Sequence, residues 1–294
     1  MPKNISETGN LVIVRGAGDI ASGTIYRLFQ AGFSVIALEA EKPTVIRRTV
    51  AYAAAVTKGM VTVEGLTALR CDTEVSIVKA LAEGKIPICV DPQGNWIKRL
   101  NPFAVVDAIL AKKNLGTNRK MAPIVIGLGP GFTAGEDVDA VIETNRGHDL
   151  GRVIYNGTAA KNTGIPGNID GYTHERVVRA PQEGVLRIVQ DIGTSVNIGD
   201  CLATIGDCKV TTKIAGVLRG IIADESNVFE GMKIADVDPR ARVDYCYTIS
   251  DKARNLSGSV LEAILHLNQK LDNSAASDNQ SDDFNQESAA KKKV

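Results

Sequence analysis

Residues 11–40 read LVIVRGAGDIASGTIYRLFQAGFSVIALEA, and this stretch decides which fold the sequence predicts. An apolar run leads into a glycine pair, a helical segment follows, and a second apolar run ends in an acid. In dinucleotide-binding units the first glycine permits a tight turn, and the second lets the backbone approach a pyrophosphate. The stretch therefore predicts a strand, a phosphate-binding turn, a helix and a second strand.

The turn at residues 16–21 reads GAGDIA and fits the pattern G-x-G-x-x-A. Ala21 is small enough for the helix to pack closely on the strand, and the N–H groups of a helix that begins near Asp19 would point at the phosphates. Glu39 lies close to the position expected for an acid that binds a ribose 2′-hydroxyl. Arg15 and Asp19 depart from the usual pattern, so a turn of this shape that binds no dinucleotide stays open.

A second glycine-rich turn lies in the stretch PIVIGLGPGFTAG, residues 123–135. Gly129 and Gly131 leave backbone open to the approach of a ligand. The block VIETNRGHDLGR then crowds polar side chains between glycines, among them Arg146 and His148, which is typical of a binding site. A hairpin with surface charges explains the same pattern. No second histidine stands at metal-ligand spacing from His148, so no metal site is predicted.

Two further positions lie where a parallel sheet presents a ligand, at the carboxyl ends of its strands. Arg47 follows the strand that ends at Glu39, and an arginine pair with Arg48 suits phosphate or carboxylate recognition, although a solvated loop is an equal alternative. Asp91 directly follows the apolar strand IPICV. We therefore expect one crevice that binds a nucleotide-containing ligand, with NAD, FAD and a molybdopterin dinucleotide all compatible. Its expected residues are Gly16, Gly18, Asp19, Ala21, Glu39, Arg47, Asp91, Gly129, Gly131, Arg146 and His148, and no catalytic residue is assigned.

Composition excludes several classes of partner. Lys plus Arg and Asp plus Glu number 34 each, and aromatic residues make up 4%, so neither charge nor base stacking favours nucleic acid. No apolar run reaches the roughly 18 residues of a membrane span, and the N-terminus lacks the apolar region of a signal peptide. The five cysteines form no CxxC pair, which indicates reduced thiols and a cytoplasmic location.

Residues 184–205 and 216–237 form an internal repeat, with seven identities in 22 aligned positions. Both begin GVLR and continue through a Val-x-x-Gly turn, which resembles the halves of biotinyl and lipoyl carrier domains. The repeat therefore predicts an all-β barrel-sandwich module. Lys209 falls near the place where a carrier domain holds its cofactor, but the usual Met-Lys-Met context is absent, so a structural module is favoured over a modified lysine.

Shifts in composition divide the chain into five expected segments. The fold class they predict is α/β, a Rossmann-like parallel sheet domain with a C-terminal barrel-sandwich module. The segments are a Rossmann-like nucleotide-binding domain at 10–115, a glycine-rich segment extending or covering the crevice at 116–180, the barrel-sandwich module at 181–245, a C-terminal helix at 246–268 and a polar, disordered tail at 269–294.

The chain resembles the accessory-protein family of selenium-dependent molybdenum hydroxylases, which is distantly similar to the xanthine dehydrogenase accessory factor. The resemblance covers roughly residues 10–268 and implies maturation of a partner hydroxylase. The motifs that carry it are VRGAGDIASG (14–23), IRR (46–48), VDP (90–92), APIVIGLGPGFTAGEDVDAVIETNRGHDLGRVI (122–154), NTGIPG (162–167) and GVLRG with DVDPR (216–240).

On this resemblance the protein would load or modify the molybdenum cofactor, with selenium as one option for the modification, on the apo-enzyme of a molybdenum hydroxylase. No defined catalytic residue comes with the family, so none is transferred to this chain. The alternative is an NAD-dependent oxidoreductase of an unknown small substrate, for which His148 with Glu143 or Asp91 would supply the acid–base pair. A homo-oligomer stays open, since nothing in the sequence determines the oligomeric state.

Overall fold

A nine-stranded sheet forms the centre of the protein in a computed structural model that describes residues 9–290, with side chains placed through residue 273. Short paired strands β8 (Thr133–Ala134) and β11 (Gly157–Thr158) lie beside it. The strands of the large sheet are β1 (Leu11–Arg15), β2 (Ser34–Glu39), β3 (Met60–Val63), β4 (Leu66–Arg70), β5 (Ile86–Val90), β6 (Ala104–Asp107), β7 (Ile124–Leu128), β9 (Ala140–Ile142) and β10 (Val153–Ile154).

The strand order is β10-β9-β7-β6-β1-β2-β5-β4-β3. The seven strands from β9 to β4 are parallel, whereas β10 and β3 run antiparallel to their neighbours at the two edges. β1 lies at the middle and is buried over its whole length, as expected for a strand covered on both faces. The turn between β3 and β4 uses Glu64 and Gly65, both with positive φ, which suits a two-residue hairpin.

Helices cover both faces of this sheet, and they are α1 (Asp19–Gln30), α2 (Ala55–Lys58), α3 (Glu74–Ala82), α4 (Asn95–Leu100) and α5 (Asp251–Ala290). Val12 and Val14 share one core with apolar residues of α1 and α5. Leu11 and Ile13 point the other way, into a core shared with α3 and α4. A Cβ atom added at Gly23 of α1 would lie 2.8 Å from the Cβ of Ala253, so this glycine lets α5 pack closely on α1.

A second β region follows the large sheet and comprises two four-stranded antiparallel sheets. Its strands are β12 (Val177–Arg179), β13 (Gly184–Ile188), β14 (Ser195–Val196), β15 (Cys201–Ile205), β16 (Cys208–Thr211), β17 (Gly216–Ile221), β18 (Asn227–Val228) and β19 (Lys233–Asp238). One sheet has the order β12-β19-β17-β14 and the other has the order β16-β15-β13-β18.

The internal repeat is visible in this pairing, because each half lends a short strand to the other. β13 of the first half pairs with β18 of the second, with Gly184 opposite Val228. β17 of the second half pairs with β14 of the first, with Gly216 opposite Val196. The two contacts join equivalent positions of the repeat, so the halves are intertwined.

The predicted fold class, a Rossmann-like parallel sheet domain with a C-terminal biotinyl/lipoyl-like barrel-sandwich module, is wrong. The large sheet is mixed and continues to residue 154, and the C-terminal strands form two small antiparallel sheets. Within the described residues 108–123, which connect β6 to β7, no α-helix forms, although a Rossmann unit has one there. Apolar strands and a glycine turn occur in many α/β sheets, so they predict individual strands without specifying edges or crossovers.

The predicted segment boundaries stay predictions. The predicted disordered tail, residues 269–294, falls on the far part of α5, mostly beyond the last described side chain, and its residues 291–294 lie outside the described chain. Residues 1–8 at the other end lie outside it as well. No helix among residues 9–290 combines the length and the apolar character needed to cross a bilayer.

Candidate functional site

A cleft of about 1210 Å³ opens at the carboxyl ends of β1, β2, β6 and β7. Ligands bind at this edge of open α/β sheets, because the loops that leave the strands converge there. Residues from the 160–169 segment close one side. Arg219 of β17 and Lys233 and Asp236 of β19 form another wall, and Ser250 and Lys252 at the start of α5 complete the lining. The cleft is therefore built from the large sheet and the C-terminal β region together.

Seven of the eleven site residues predicted from the sequence line this cleft, so segments up to 130 positions apart in the chain meet there. Their role in binding stays a prediction. They are Gly16, Gly18, Asp19, Ala21, Glu39, Arg47 and Arg146.

The other four predicted residues, Asp91, Gly129, Gly131 and His148, do not line the cleft. Asp91 caps the turn before α4, where its carboxylate accepts from the N–H groups of residues 94 and 96 at 3.0 and 2.8 Å. Gly129 and Gly131 have positive φ, and a Cβ atom there would lie 2.7 and 2.6 Å from neighbouring atoms. Their backbone conformation and close packing account for glycine. His148 is exposed away from the cleft.

The first glycine turn has two glycines with different reasons to be glycine. Gly16 has φ +92°, and a Cβ atom there would lie 3.0 Å from the carbonyl oxygen of Ala108. Gly18 is extended, and its Cβ would lie 3.5 Å from Val45, an ordinary contact. The fold itself therefore requires glycine at position 16 but tolerates a side chain at position 18.

The N-terminus of α1 opens onto the cleft without a side-chain cap. The first hydrogen bond of the helix runs from the N–H of Ser22 to the carbonyl of Gly18, at 2.8 Å. The N–H groups of residues 19–21 are thus left for water or a ligand, and the helix dipole favours a negative charge in front of them.

Glu39 holds the turn in shape. Its two carboxylate oxygens accept from the N–H of Ala17 at 2.8 Å and from the N–H of Ala40 at 2.7 Å. Burial nevertheless raises the pKa of Glu39 above its ordinary value, against the lowering effect of these two hydrogen bonds. The ribose contact predicted for Glu39 stays a prediction, and fixing the glycine turn is the role that its contacts define.

The two departures from the dinucleotide pattern have separate explanations. Arg15 points away from the cleft, where it forms a buried ion pair with Asp107 at 3.5 Å and donates to the hydroxyl of Thr117. Asp19 faces the cleft but is paired with Arg47 at 3.3 Å. The negative charge of Asp19 is therefore matched and presents little obstacle to an anion.

Charge is distributed unevenly between the cleft and the rest of the chain. The formal net charge of the chain is zero. Of the residues that the structure describes, nine cationic side chains and three carboxylates, Asp19, Glu39 and Asp236, nevertheless line the cleft. The cations are Lys42, Arg47, Lys112, Arg146, Lys161, Arg176, Arg219, Lys233 and Lys252.

Sequence reasoning missed the cations that come from the C-terminal part of the chain. Arg176 is buried, donates to Asp236 and to the carbonyl of Gly167, and ties the 160–169 segment to β19. Lys252 is half-buried and has no hydrogen-bond or ion-pair partner among the described residues, and burial, followed by the charge of Arg146, lowers its pKa. No local pattern marks these positions, because the fold alone brings them to the cleft.

Metal binding and cysteine chemistry find little support in the described part of the chain. Among residues 9–273 no three histidine, cysteine or acidic side chains are grouped so as to hold a metal ion. None of the five cysteines lines the cleft. Burial raises the pKa of Cys89 and of Cys71, so both thiols are held in their protonated form.

Comparison with solved structures gives only weak likenesses, and no protein-family model matches the chain. The ectoine utilization protein EutE (DoeB) of Ruegeria pomeroyi is 11% identical over 78% of this chain and 85% of its own, with a TM-score of 0.26. An aspartoacylase family protein of Mesorhizobium loti is 9% identical over 78% and 85%, with a TM-score of 0.25. TM-scores this low establish no common fold and transfer no function.

A curated protein of Escherichia coli K12, the uncharacterized protein YqeB, is 53% identical over 257 residues. The match covers 87% of this chain and 48% of that protein, so the chain spans about half the length of the relative.

The function predicted from the sequence, maturation of a selenium-dependent molybdenum hydroxylase, is wrong. The matched structures are described as ectoine utilization, aspartoacylase and desuccinylase proteins, and the curated relative is uncharacterized, so nothing points to the accessory family. The alternative of an NAD-dependent oxidoreductase is equally without a counterpart among these matches. The motifs behind the resemblance are mostly glycine turns and strand ends, whose local structural roles explain them without that function. The hydroxylase apo-enzyme as partner stays untested.

Proposed function

We propose that the cleft binds a small organic anion that carries phosphate groups, with a nucleotide as the favoured class. The charge of the cleft is the observation that carries this proposal. Nine cationic side chains and three carboxylates line a cleft in a chain whose formal net charge is zero. A cleft lined by one sign of charge raises the local concentration of ions of the opposite sign.

The open N-terminus of α1 is where the phosphate belongs in this proposal. Gly18 places no side chain in the way, and the N–H groups of residues 19–21 are free to donate to phosphate oxygens. Arg47 neutralises Asp19 beside them and lies in the same lining. These groups supply both hydrogen bonds and charge.

The size of the cleft favours an organic ligand over a bare inorganic ion. Sites for small molecules commonly have volumes of about 300–1,000 Å³. The volume of about 1210 Å³ leaves ample space beyond one phosphate group. Apolar residues such as Ile20, Val45 and Ile109 lie in the same lining and suit the uncharged part of a ligand.

Isothermal titration calorimetry with ADP, pyrophosphate, citrate and adenosine tests this proposal on the full chain. ADP and pyrophosphate should bind, more weakly as salt is added, whereas adenosine should not. Citrate that binds in place of both phosphate probes would assign the cleft to carboxylates. No binding of either phosphate probe at millimolar concentration would overturn the proposal.

Gly18→Val tests the placement of the phosphate. The variant should fold, because its Cβ meets only Val45 at 3.5 Å, but its branched side chain should lower the affinity for ADP at least about tenfold. Gly258→Ala is the control, since this glycine has open space around it and lies outside the cleft. Circular dichroism confirms folding of both variants. An unchanged affinity of Gly18→Val for ADP would place the phosphate elsewhere.

We also infer a cytoplasmic location, because the five cysteines occur as free thiols, three of them buried. Fractionation of native cells tests this inference, and recovery of the protein from an oxidising compartment would contradict it.

A further inference from the structure

Arg219 of β17 is a buried cation that makes no hydrogen bond within the described part of the chain. Its side chain lines the cleft, and the residue is only 8% exposed. Its one ion pair, with Asp238, is long, at 3.4 Å. Among the described residues no group accepts a hydrogen bond from its guanidinium, and its Nε atom is buried without a partner. A guanidinium carries five N–H donors, and burying them unsatisfied is unfavourable.

The carboxylates near Arg219 are already engaged by other arginines. Asp238 accepts from Arg240 through both of its oxygens, at 2.9 and 2.6 Å. Asp236 accepts from Arg176. Three arginines, Arg176, Arg219 and Arg240, therefore share two carboxylates. Arg219 is the one of the three that makes no hydrogen bond to either carboxylate. This group of five side chains therefore carries one positive charge in excess, and Arg219 makes the longest of its ion pairs.

Arg47 adds a second cation, whose charge acts on Arg219. A Cβ atom at Gly220 would lie 2.8 Å from the side chain of Ile46 and 3.1 Å from that of Arg47, so β17 packs directly on this segment. The terminal nitrogens of Arg47 donate to Asp19 and to the carbonyls of Tyr245 and Thr248, and its Nε atom is buried without a partner. Burial is the main cause that lowers the pKa of Arg219, and the positive charge of Arg47 is the second. Both disfavour the charged form of the guanidinium.

We infer that Arg219, with Arg47 beside it, is a second anion subsite, which binds a further anionic group of the ligand held at the α1 N-terminus. This inference rests on the proposed function and deepens it. The ligand class becomes a molecule with at least two anionic groups, one at Gly18 and one on the β17 wall. A carboxylate or a phosphate would satisfy the planar guanidinium through paired N–H···O bonds.

Arg219→Met removes the charge and keeps an apolar stem, and Arg187→Met is the matched control at the equivalent position of the repeat. The affinities for ADP, pyrophosphate and citrate are measured by calorimetry for both variants and the parent. Arg219→Met should weaken the probes that the parent binds by about 10- to 100-fold, the effect of one charged hydrogen-bonding group. Arg187→Met should leave them unchanged. If Arg219→Met loses only citrate binding, the subsite is one for carboxylates. If it loses the binding of ADP and pyrophosphate, the subsite is one for phosphates.

Thermal melts without ligand separate this role from a structural one. A buried arginine whose N–H groups have no acceptor destabilises the empty protein, so Arg219→Met should melt at or above the temperature of the parent. A structural partner of Asp238 would lower it. Arg219→Lys, which keeps the charge but loses the planar fork, should bind with an intermediate affinity. A variant Arg219→Met that binds every probe within twofold of the parent overturns the subsite.

Failure of the proposed function is distinguishable from failure of the subsite. If Gly18→Val loses ADP and Arg219→Met keeps it, the proposed function stands and the subsite falls. If the parent binds neither ADP nor pyrophosphate, melting temperatures measured with and without sulfate test the subsite. An increase in melting temperature with sulfate that disappears in Arg219→Met supports the subsite, and an increase that persists, or none in the parent, overturns it.

Discussion

Arg187 and Arg219 hold the same position in the two halves of the internal repeat, yet their surroundings are opposite. Arg187 is exposed, and its hydrogen bond to Glu225 raises its pKa. Arg219 is buried at the cleft, has no hydrogen-bond acceptor among the described residues, and has its pKa lowered by burial. Duplication reproduced the strand and its pairing, and the neighbours outside the repeat decide what each arginine can do.

Two differences in sequence between the halves account for the different surroundings of the two arginines. The residue after the arginine is Ile188 in the first half and Gly220 in the second, and only the glycine allows close contact with the 46–47 segment. Thr204 of β15 corresponds to Asp236 of β19, which supplies the buried carboxylate for Arg176. Replacing a residue of the second half by its counterpart from the first half therefore tests which of the two differences matters for the cleft wall.

Asp236→Thr should have the largest effect, because it removes the buried partner of Arg176 and leaves a second excess positive charge near Arg219. Breaking a buried ion pair commonly costs about 3–5 kcal/mol of unfolding free energy. Urea denaturation measures the loss. The control is Asp207→Thr, the same change at an exposed hairpin residue, which should leave stability almost unchanged. Equal losses in the two variants would show that Asp236 has no structural role.

Gly220→Ile should come next, because its side chain would collide with Ile46 and push β17 away from the 46–47 segment. Overpacking of this kind costs about 1–3 kcal/mol, with Gly220→Ala near the lower end. Gly258→Ala is the matched control, since its new methyl group meets open space. Urea denaturation of the three variants decides the matter, and a Gly220→Ala protein as stable as Gly258→Ala would remove the packing argument.

Asp238→Asn should have the smallest effect, about 1.5 kcal/mol at neutral pH, since Arg240 is partly exposed. Burial raises the pKa of Asp238, but the hydrogen bonds and charge of Arg240, with the charge of Arg219, outweigh it, and the net pKa lies below 3.8. The carboxylate therefore stabilises the fold above about pH 4, and this stabilisation is lost as the pH falls further. Unfolding free energies of the parent and the variant should converge in acid, and a constant difference would contradict the ion pairs.

Local pattern was enough to predict much of the large sheet. The apolar runs at 34–39 and 86–90 are strands, and the stretch EVSIVKALAE, whose apolar residues recur at helical spacing, forms the helix Glu74–Ala82. Each of these depends on neighbours in sequence, through apolar runs, helical spacing and a glycine after the last turn. The edge hairpin β3–β4 was missed, although the sequence VTVEGLT carries a two-residue turn between alternating residues.

The cleft was only half predictable, for a physical reason. Gly18 and Glu39 lie at strand ends that any parallel sheet brings to one edge, so their placement follows from the sequence. Arg219 and Lys252 reach the same cleft from more than 170 residues further along the chain, through packing that no short pattern encodes. Asp91 also follows a strand end, but its carboxylate caps the next turn and does not line the cleft, so its contact with a ligand stays a prediction.

The packing of α5 on α1 constrains the order in which the protein can acquire its structure during synthesis. The face of the sheet that carries Val12 and Val14 is covered in part by Leu256, Val260 and Ile264, which the ribosome makes roughly 240 residues later. Until then this apolar face lacks the part of its cover that α5 supplies, and the contacts between α5 and β1 span most of the chain. Contacts of such long range slow folding, so this sheet completes its core only after the C-terminal β region has been synthesised.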